Sequence, residues 1–329
     1  MSAFYSLEDL QAARKGDSDA FDALIRPYRP ALLTHCYHLS GSLIEAEDLT
    51  QEALLRAWEE LHTYSEQGTL RNWLFVIATR LWLDETRRRK QVILLRDGPP
   101  ADPDTTPVVH PEENWLDPLP DFWLSGGMPS PESYAERREA LSLAFVVALQ
   151  KLNARQRAVT LLRDVFQWSA EETAAALALP AGTVNNLLYR ARKALGEVGH
   201  AARPVPAAVL NDFVRAWEVG DSDGLVALLH PQATFAMPPM QAWYRGREDI
   251  RRALRHFVFV TGVRWFLQPA SVNGVPGWGV YRQPEAARRA RVFGLLIPEY
   301  APSGDGIDAL TAYLSPHWGR AAGLPAALT

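Results

Sequence analysis

Glu45-Ala46-Glu47-Asp48-Leu49-Thr50-Gln51-Glu52 runs into Leu54-Leu55-Arg56-Ala57-Trp58, then into Trp73-Leu74 and the basic run Arg87-Arg88-Arg89-Lys90. Leu49, Ala53, Ala57 and Leu61 recur every fourth residue, the spacing of one apolar helix face, and the acidic residues fall on the other side. An acidic amphipathic helix followed by an aromatic and then a basic helix face is unusual for an enzyme core. It suits a module that holds a protein with one face and DNA with the next. Working outward, Leu24, Ala31, Leu32, Cys36 and Leu39 continue the helical spacing, so residues 7–90 read as helices and no strand is expected before residue 90.

The chain has 329 residues, room for two or three domains at ~100–200 residues each. With 47% hydrophobic and 22% charged residues, each segment can bury a core. The formal net charge of −4 gives no global attraction to DNA, whereas a freely binding DNA protein more often has a domain pI above ~9; any DNA contact must be local or assisted. Cys36, the single cysteine, cannot form an internal disulfide and fits a reducing compartment. The N-terminus lacks an apolar signal core, and no segment approaches the ~18 apolar residues of a membrane span. A soluble, cytoplasmic protein without membrane contact is expected.

Residues 91–133 are broken by Pro99, Pro100, Pro103, Pro107, Pro111, Pro118, Pro120, Pro129 and Pro131 and read as a linker. Within it, Asn114–Leu124 carries Trp115, Leu116, Phe122 and Trp123, and leaving large apolar side chains in water costs ~1.5–3 kcal/mol each. This segment is expected to dock on a domain. Residues 132–198 return to helix: Ser169-Ala170-Glu171-Glu172 is a capping box, and Val184, Leu188, Ala191 and Leu195 form one inward stripe of a helix from about Ala181 to Leu195. After residue 204 two helical patterns, 207–220 and 222–229, precede the turn-punctuated apolar runs 233–237, 264–272, 277–282, 291–297 and 307–314. These predict an α+β domain with a largely antiparallel sheet.

Ser169–Lys193 has the pattern of a helix-turn-helix whose second helix exposes Thr183, Asn185, Asn186, Tyr189, Arg190 and Lys193. In the major groove, asparagine bonds the adenine edge and arginine the guanine edge or phosphate; an ordinary αα-hairpin would share the pattern. The acidic helix could equally be a solvated face. Four successive cations at 87–90 exceed what a helix C-terminus needs and favour phosphate contact. Trp73, beside the loop Ser65–Thr69, could stack on an unpaired base at ~1–3 kcal/mol or lie in the core. His35 and His38 have no companion ligands, and no phosphate loop, GxSxG or HExxH is present, so no metal, cofactor or catalytic set is expected.

These residues together carry a resemblance. Residues 21–90 resemble region 2 of extracytoplasmic-function sigma factors of the sigma-70 class, through Ala46–Glu52, Leu55–Trp58, Trp73-Leu74, Ile77-Ala78-Thr79 and Arg87–Arg89. Residues 140–196 resemble region 4 of the same family, through Leu149–Leu152, Arg155–Arg157, Leu162–Val165, Trp168–Glu172 and Tyr189–Leu195. The resemblance implies that Asp48, Gln51 and Glu52 face the clamp helices of the largest subunit of a bacterial RNA polymerase core. It implies that the loop 64–69 with Trp73, Thr79 and Arg80 captures unstacked minus-10 bases, with Arg87 and Arg88 on the backbone. Arg163, Thr183, Asn185, Asn186, Tyr189, Arg190 and Lys193 would address the minus-35 element of promoter DNA, and region 4 the flap of the second large subunit.

Three departures stand out: Arg80 where asparagine is usual, Ala178 and Pro180 in place of a turn glycine and a capping serine, and Asn185-Asn186-Leu187 in place of a more basic pattern. Residues 205–320 are similar to a SnoaL-like domain, a cone of curved sheet against helices, through Phe213–Trp217, Leu225–Pro231, Phe235–Pro239 and Gly246–Ile250. The expected architecture is therefore multidomain: an all-α region 2 bundle (1–90), a linker (91–133), an all-α region 4 (134–200) and an α+β SnoaL-like regulatory domain (205–322). A subgroup with such a domain also carries a Trp-Leu-Asp-Pro-like linker motif, which implies that Trp115, Leu116 and Pro118 anchor the linker to the C-terminal domain. The expected function is a sigma factor modulated in cis by that domain, with an effector of unassigned chemistry as a further partner. The alternative is a SnoaL-like cyclase or isomerase, or a small-molecule-binding protein, with accessory DNA-binding helices. For it, Trp217, Phe235, Met237, Trp243, Trp265 and Tyr281 would line a pocket, with Asp212 and His230 as a conjectural acid–base pair.

Overall fold

The computed structural model describes residues 6–65, 68–86, 92–96, 98–110, 114–124, 142–196, 206–300 and 306–328. The chain forms two compact units, one built from residues 1–92, 123–133 and 144–198 and the other from 93–122, 134–143 and 199–329.

In the first unit α1 (Leu7–Arg14), α2 (Ser18–Ile25), α3 (Arg29–Ser40), α4 (Leu43–Glu60) and α5 (Leu70–Glu85) are followed by α6 (Leu143–Gln150), α7 (Ala154–Thr160), α8 (Ala170–Leu177) and α9 (Ala181–Leu195). Helix α4 shows why the opening stretch folds as it does. Leu43, Ala46, Leu49, Thr50, Ala53, Leu54 and Ala57 are buried, an i, i+3, i+4, i+7 stripe that packs on α3 and α5. Helix α3 ends at Gly41, whose φ of 75° supplies the left-handed cap that leads directly into α4. At Ser169 the capping box forms in both directions, with Glu172 N–H donating to the serine hydroxyl at 3.0 Å and Glu172 accepting from Ser169 N–H at 2.6 Å.

The second unit holds α10 (Ala207–Val219), α11 (Ser222–Ala227), α12 (Arg247–Ala253), α13 (Pro316–Ala321) and six strands, β1 (Leu229–Ala236), β2 (Trp243–Arg245), β3 (Val263–Val272), β4 (Val275–Pro284), β5 (Arg291–Tyr300) and β6 (Ile307–Tyr313). They form one sheet in the order β2-β1-β6-β5-β4-β3, antiparallel except where β1 runs parallel to β6. Register shifts at 229/234, 280/281 and 299/300 bend the strands, as bulges do. The β3–β4 turn is Asn273-Gly274 with φ of 53° and 71°, the two left-handed residues that a tight hairpin of this twist requires. Gly294 is also obligatory, because a Cβ there would lie 2.0 Å from the Tyr313 carbonyl oxygen.

One face of the sheet carries the main core, in which Phe213 and Trp217 of α10 meet Trp265, Trp278, Leu296 and Leu310. Residues 294–298 of β5 and 309–313 of β6 are buried without alternation, so the opposite face is covered as well. There Trp318 of α13 lies edge-on to Tyr313 at 5.0 Å, and residues 93–96, 98–110 and 114–122 form a strap. Arg96 pairs with Glu299 at 3.3 Å, Ala101 N–H donates to Trp243 at 2.8 Å, and His110 N–H donates to Pro239 at 2.9 Å. Farther along, Trp318 Nε1 donates to Asp117 at 2.7 Å, while Leu119 and Asn273 exchange two hydrogen bonds at 2.8 and 3.0 Å. Trp115, Leu116, Pro118 and Leu119 are all buried in this unit.

Candidate protein and nucleic-acid interfaces

Burying the apolar stripe of α4 forces its remaining residues outward. Asp48, Gln51 and Glu52 are exposed, flanked by Ile44 and Leu55, large apolar side chains that are 58% and 54% exposed. Trp58 is not part of this face, because its ring packs edge-on against Phe21 at 5.0 Å. Beside Gln51 a groove of about 230 Å³ is lined by Arg29, Pro30, Leu33, Glu47, Thr50 and Trp123, the last contributed by the linker.

Helix α5 is capped by Thr69, whose hydroxyl accepts from Asn72 N–H at 3.2 Å. Trp73 is half-buried with its ring 5.4 Å from Tyr64, and the Tyr64 hydroxyl donates to Gly68 at 2.8 Å. Thr79 departs from expectation: it is fully buried, donating its hydroxyl to Phe75 at 2.7 Å while bonded to His35 Nε2 at 2.7 Å. It is a core residue and presents nothing to a base. That hydroxyl has one proton, and Phe75 receives it, so His35 donates from Nε2. Burial first, with His38 and Arg71 acting in the same direction, lowers its pKa to about 3, so the imidazole is neutral.

Arg80 is also committed elsewhere. Its guanidinium donates to Ala176 at 2.7 Å and to Ala175 at 3.3 Å, carbonyls at the negative end of α8. Arg87 and Arg88 lie outside the described residues.

Arg157, to which no sequence pattern assigns a role, holds α3, α5, α6 and α7 together. Its largely buried guanidinium donates to the carbonyls of Gln150 and Leu152, each at 3.1 Å, and to Leu39 and the Gln150 side chain. It also lies 5.3 Å from the Trp82 ring centroid. Its pKa is lowered to about 10 by burial. The Arg155-Gln156-Arg157 triplet was visible in sequence, but nothing local distinguishes the exposed Arg155 from the interlocking Arg157.

In the helix-turn-helix, Val184, Leu188 and Ala191 are buried, and Thr183, Asn185, Asn186, Tyr189, Arg190 and Lys193 are all exposed, Tyr189 to 69%. Arg163 stands apart from that set: half-buried, it donates to the Trp168 carbonyl within its own turn. Arg192 pairs with Asp164 at 2.6 Å, which raises the Arg192 pKa and fixes the second helix on its support.

The second unit fills the interior of its cone with aromatic rings. Phe213 stacks on Trp278 at 4.8 Å and on Trp217 at 5.8 Å, while Trp265 Nε1 donates to Val258 at 3.0 Å. Tyr281 does not join them: successive residues of β4 face opposite sides, Trp278 and Val280 entering the main core while Tyr281 packs with Ala290 and Val292 and donates to Pro325 at 2.8 Å. Asp212 pairs with Arg215 at 3.6 Å and His230 with Asp308 at 3.7 Å; with separate partners, they form no acid–base pair. Tyr244 is pushed up to about 12 by burial and by the Asp102 carboxylate. Among the described residues no group of three or more metal-ligating side chains is present, and no helix is long and apolar enough to cross a membrane.

Comparison with known proteins bears on these faces. Residues 24–92 match the sigma-70 region 2 family, 142–195 the sigma-70 region 4 family and 210–292 the SnoaL-like domain family. The chain is 42% identical over 247 residues to the ECF RNA polymerase sigma factor SigG of Mycobacterium tuberculosis H37Rv, an alignment covering 72% of this chain and 65% of that protein. It thus spans slightly less than two thirds of that relative's length. It is 29% identical to the ECF RNA polymerase sigma factor SigJ of the same organism over 271 residues, 78% of each chain. The crystal structure of M. tuberculosis SigJ shares the fold with a TM-score of 0.60 at 23% identity, covering 92% of this chain and 99% of that one.

Proposed function

Because the chain belongs to the extracytoplasmic-function sigma factors of the sigma-70 family, with a SnoaL-like domain at its C-terminal side, we propose that it binds a bacterial RNA polymerase core and directs promoter-specific initiation in the cytoplasm. The carrying observation is the second helix of the helix-turn-helix, whose polar face is entirely exposed while its apolar stripe is buried. In this reading Asp48, Gln51 and Glu52 meet the clamp helices, Trp73 and the loop before it take an unpaired minus-10 base, and Arg87 and Arg88 follow the backbone. Thr183, Asn185, Asn186, Tyr189, Arg190 and Lys193 read the minus-35 element. Arg80 reaches DNA only after releasing the carbonyls of α8. Region 4 also meets the flap of the second large subunit.

The SnoaL-like domain acts as a regulator rather than an enzyme, since its interior is packed with stacked rings and its two conjectured acid–base residues have separate partners. Its coupling runs through the strap, in which Trp115, Leu116 and Pro118 are anchors. An effector would have to compete with the core rings or act at the surface.

Transcription reconstituted from purified bacterial core polymerase and the full-length chain tests this reading. Promoter-specific transcripts should require the chain. Asn185→Ala or Arg190→Ala should reduce them by about 1–3 kcal/mol per lost base contact, roughly five- to 150-fold, without reducing binding to core. Asp48→Ala should reduce core binding itself. Transcripts that are absent with both the full-length chain and a chain cut near Pro204 would contradict the proposal.

A further inference from the structure

Between Val263 and Val292 the chain holds five arginines, Arg264, Arg282, Arg288, Arg289 and Arg291, against a single acidic residue, Glu285, and no lysine. The local balance is five minus one, or +4, in a protein whose formal net charge is −4. The fold gathers these residues at one end of the sheet. Arg282 and Arg291 are register partners across β4 and β5 and share a face, Arg288 and Arg289 lie in the β4–β5 connection, and Arg264, one residue from the register partner of Arg282 on β3, stands at the same end but on the opposite face. None of the five has a carboxylate partner among the described residues. Elsewhere in the same unit Arg96, Arg215, Arg251, Arg252 and Arg255 each face a carboxylate.

The patch is also held in place. Arg264 lies over Phe266 at 5.2 Å and Arg282 over Phe293 at 5.7 Å, and such stacking orders a guanidinium before it meets a ligand. The backbone beneath is pinned by the chain's final residues, with Val292 N–H donating to Ala326 at 3.0 Å and Leu328 N–H to Ala290 at 2.9 Å. Four of the five side chains are exposed and Arg282 is half-buried.

We propose that this end of the SnoaL-like domain is a phosphate-binding surface for duplex DNA, a sequence-independent contact additional to those of the sigma modules. Unpaired arginines on an ordered ribbon suit phosphate oxygens, each taken by two parallel N–H donors. Duplex DNA is favoured over an acidic protein because the remainder of the chain is read as a promoter-binding factor, and the choice of polyanion rests on that reading. The surface would offset the weak phosphate attraction of the Asn185-Asn186-Leu187 face.

Binding of the full-length chain to a short mixed-sequence DNA duplex, followed against NaCl concentration, tests the surface without requiring polymerase. Replacing Arg288, Arg289 and Arg291 together by alanine should lower the slope of log affinity against log salt by about 2 to 3, at ~0.9 per phosphate contact. The corresponding Arg→Lys variant should recover most of it. An unchanged slope in the alanine variant overturns the proposal, as does an equal loss in the lysine variant, which would mark a folding defect. Unchanged duplex binding with weakened core-polymerase binding overturns it in favour of an acidic protein partner. Transcription by the wild-type chain, measured separately, reports on the sigma reading alone, so the two can fail independently.

Discussion

At the scale of single residues, His35 makes the helical unit sensitive to acid. Its imidazole is buried and neutral, with a pKa near 3 against 6.5 for a free side chain. Between those values the unfolded chain binds a proton that the folded chain does not, so its contribution to stability is complete above pH 6.5 and declines as pH falls, by about 1.4 kcal/mol per pH unit. In His35→Phe, the loss of urea-unfolding free energy between pH 7 and pH 5 should be smaller than in the wild type by about 2 kcal/mol; an equal loss would refute this role. Replacement of Arg157 by methionine should destabilise the same unit by about 2–4 kcal/mol, because main-chain carbonyls lose their donor in a buried setting, and lysine should not rescue it since a compact ammonium cannot span them. Neither role was legible in the sequence. Thr79 and Arg80 are adjacent in α5, and because consecutive helical residues project about 100° apart, Thr79 turns inward to His35 while Arg80 stays outside. The partners lie 44 and 96 positions away, beyond any local pattern.

At the scale of elements, the strongest expectations were those with a repeated period. The helix from Ala181 to Leu195 has the bounds its spacing suggested, and the five apolar runs after residue 230 all became strands. Short elements escaped: β2 has three residues and α12 has seven, too few for a period to show, and their conformations are set by the neighbours they pair with or cover. The two turn substitutions in the helix-turn-helix have a definite structural meaning. Ala178 adopts φ of 51°, a conformation that costs an L-residue ~1–2 kcal/mol and glycine almost nothing. Ala178→Gly should therefore raise the urea midpoint by the equivalent of about 1 kcal/mol, and a midpoint that falls would show that the alanine methyl is more valuable than its strain. Pro180 supplies no side-chain cap; its carbonyl instead accepts from Thr183 and Val184 N–H at 2.9 and 3.2 Å.

At the scale of the whole molecule, the segment read as a linker is structurally part of the second unit from Ile93 to Phe122. Its tryptophan and leucines signalled docking because they are too apolar for a tether, but the sequence could not show that they cover a second sheet face, since that requires knowing which strands lack a cover. Leu116 is fully buried, and Leu116→Ala should destabilise the second unit by ~2–5 kcal/mol, read as an earlier unfolding transition for that unit in calorimetry. A chain ended near Pro204 leaves Leu95, Trp115, Leu116 and Leu119 without their sheet, and it should bind a hydrophobic dye that the full-length protein does not; equal dye binding would show that the strap finds another cover. The strap also imposes an order in time. Asp117 and Trp318, joined by a hydrogen bond, are 201 residues apart, so a ribosome adding about 5–20 residues per second needs roughly 10–40 s between them. Residues 1–198 are complete well before the strap can close, and every newly made copy passes through an interval in which Trp115, Leu116 and Leu119 exist without the strands that cover them.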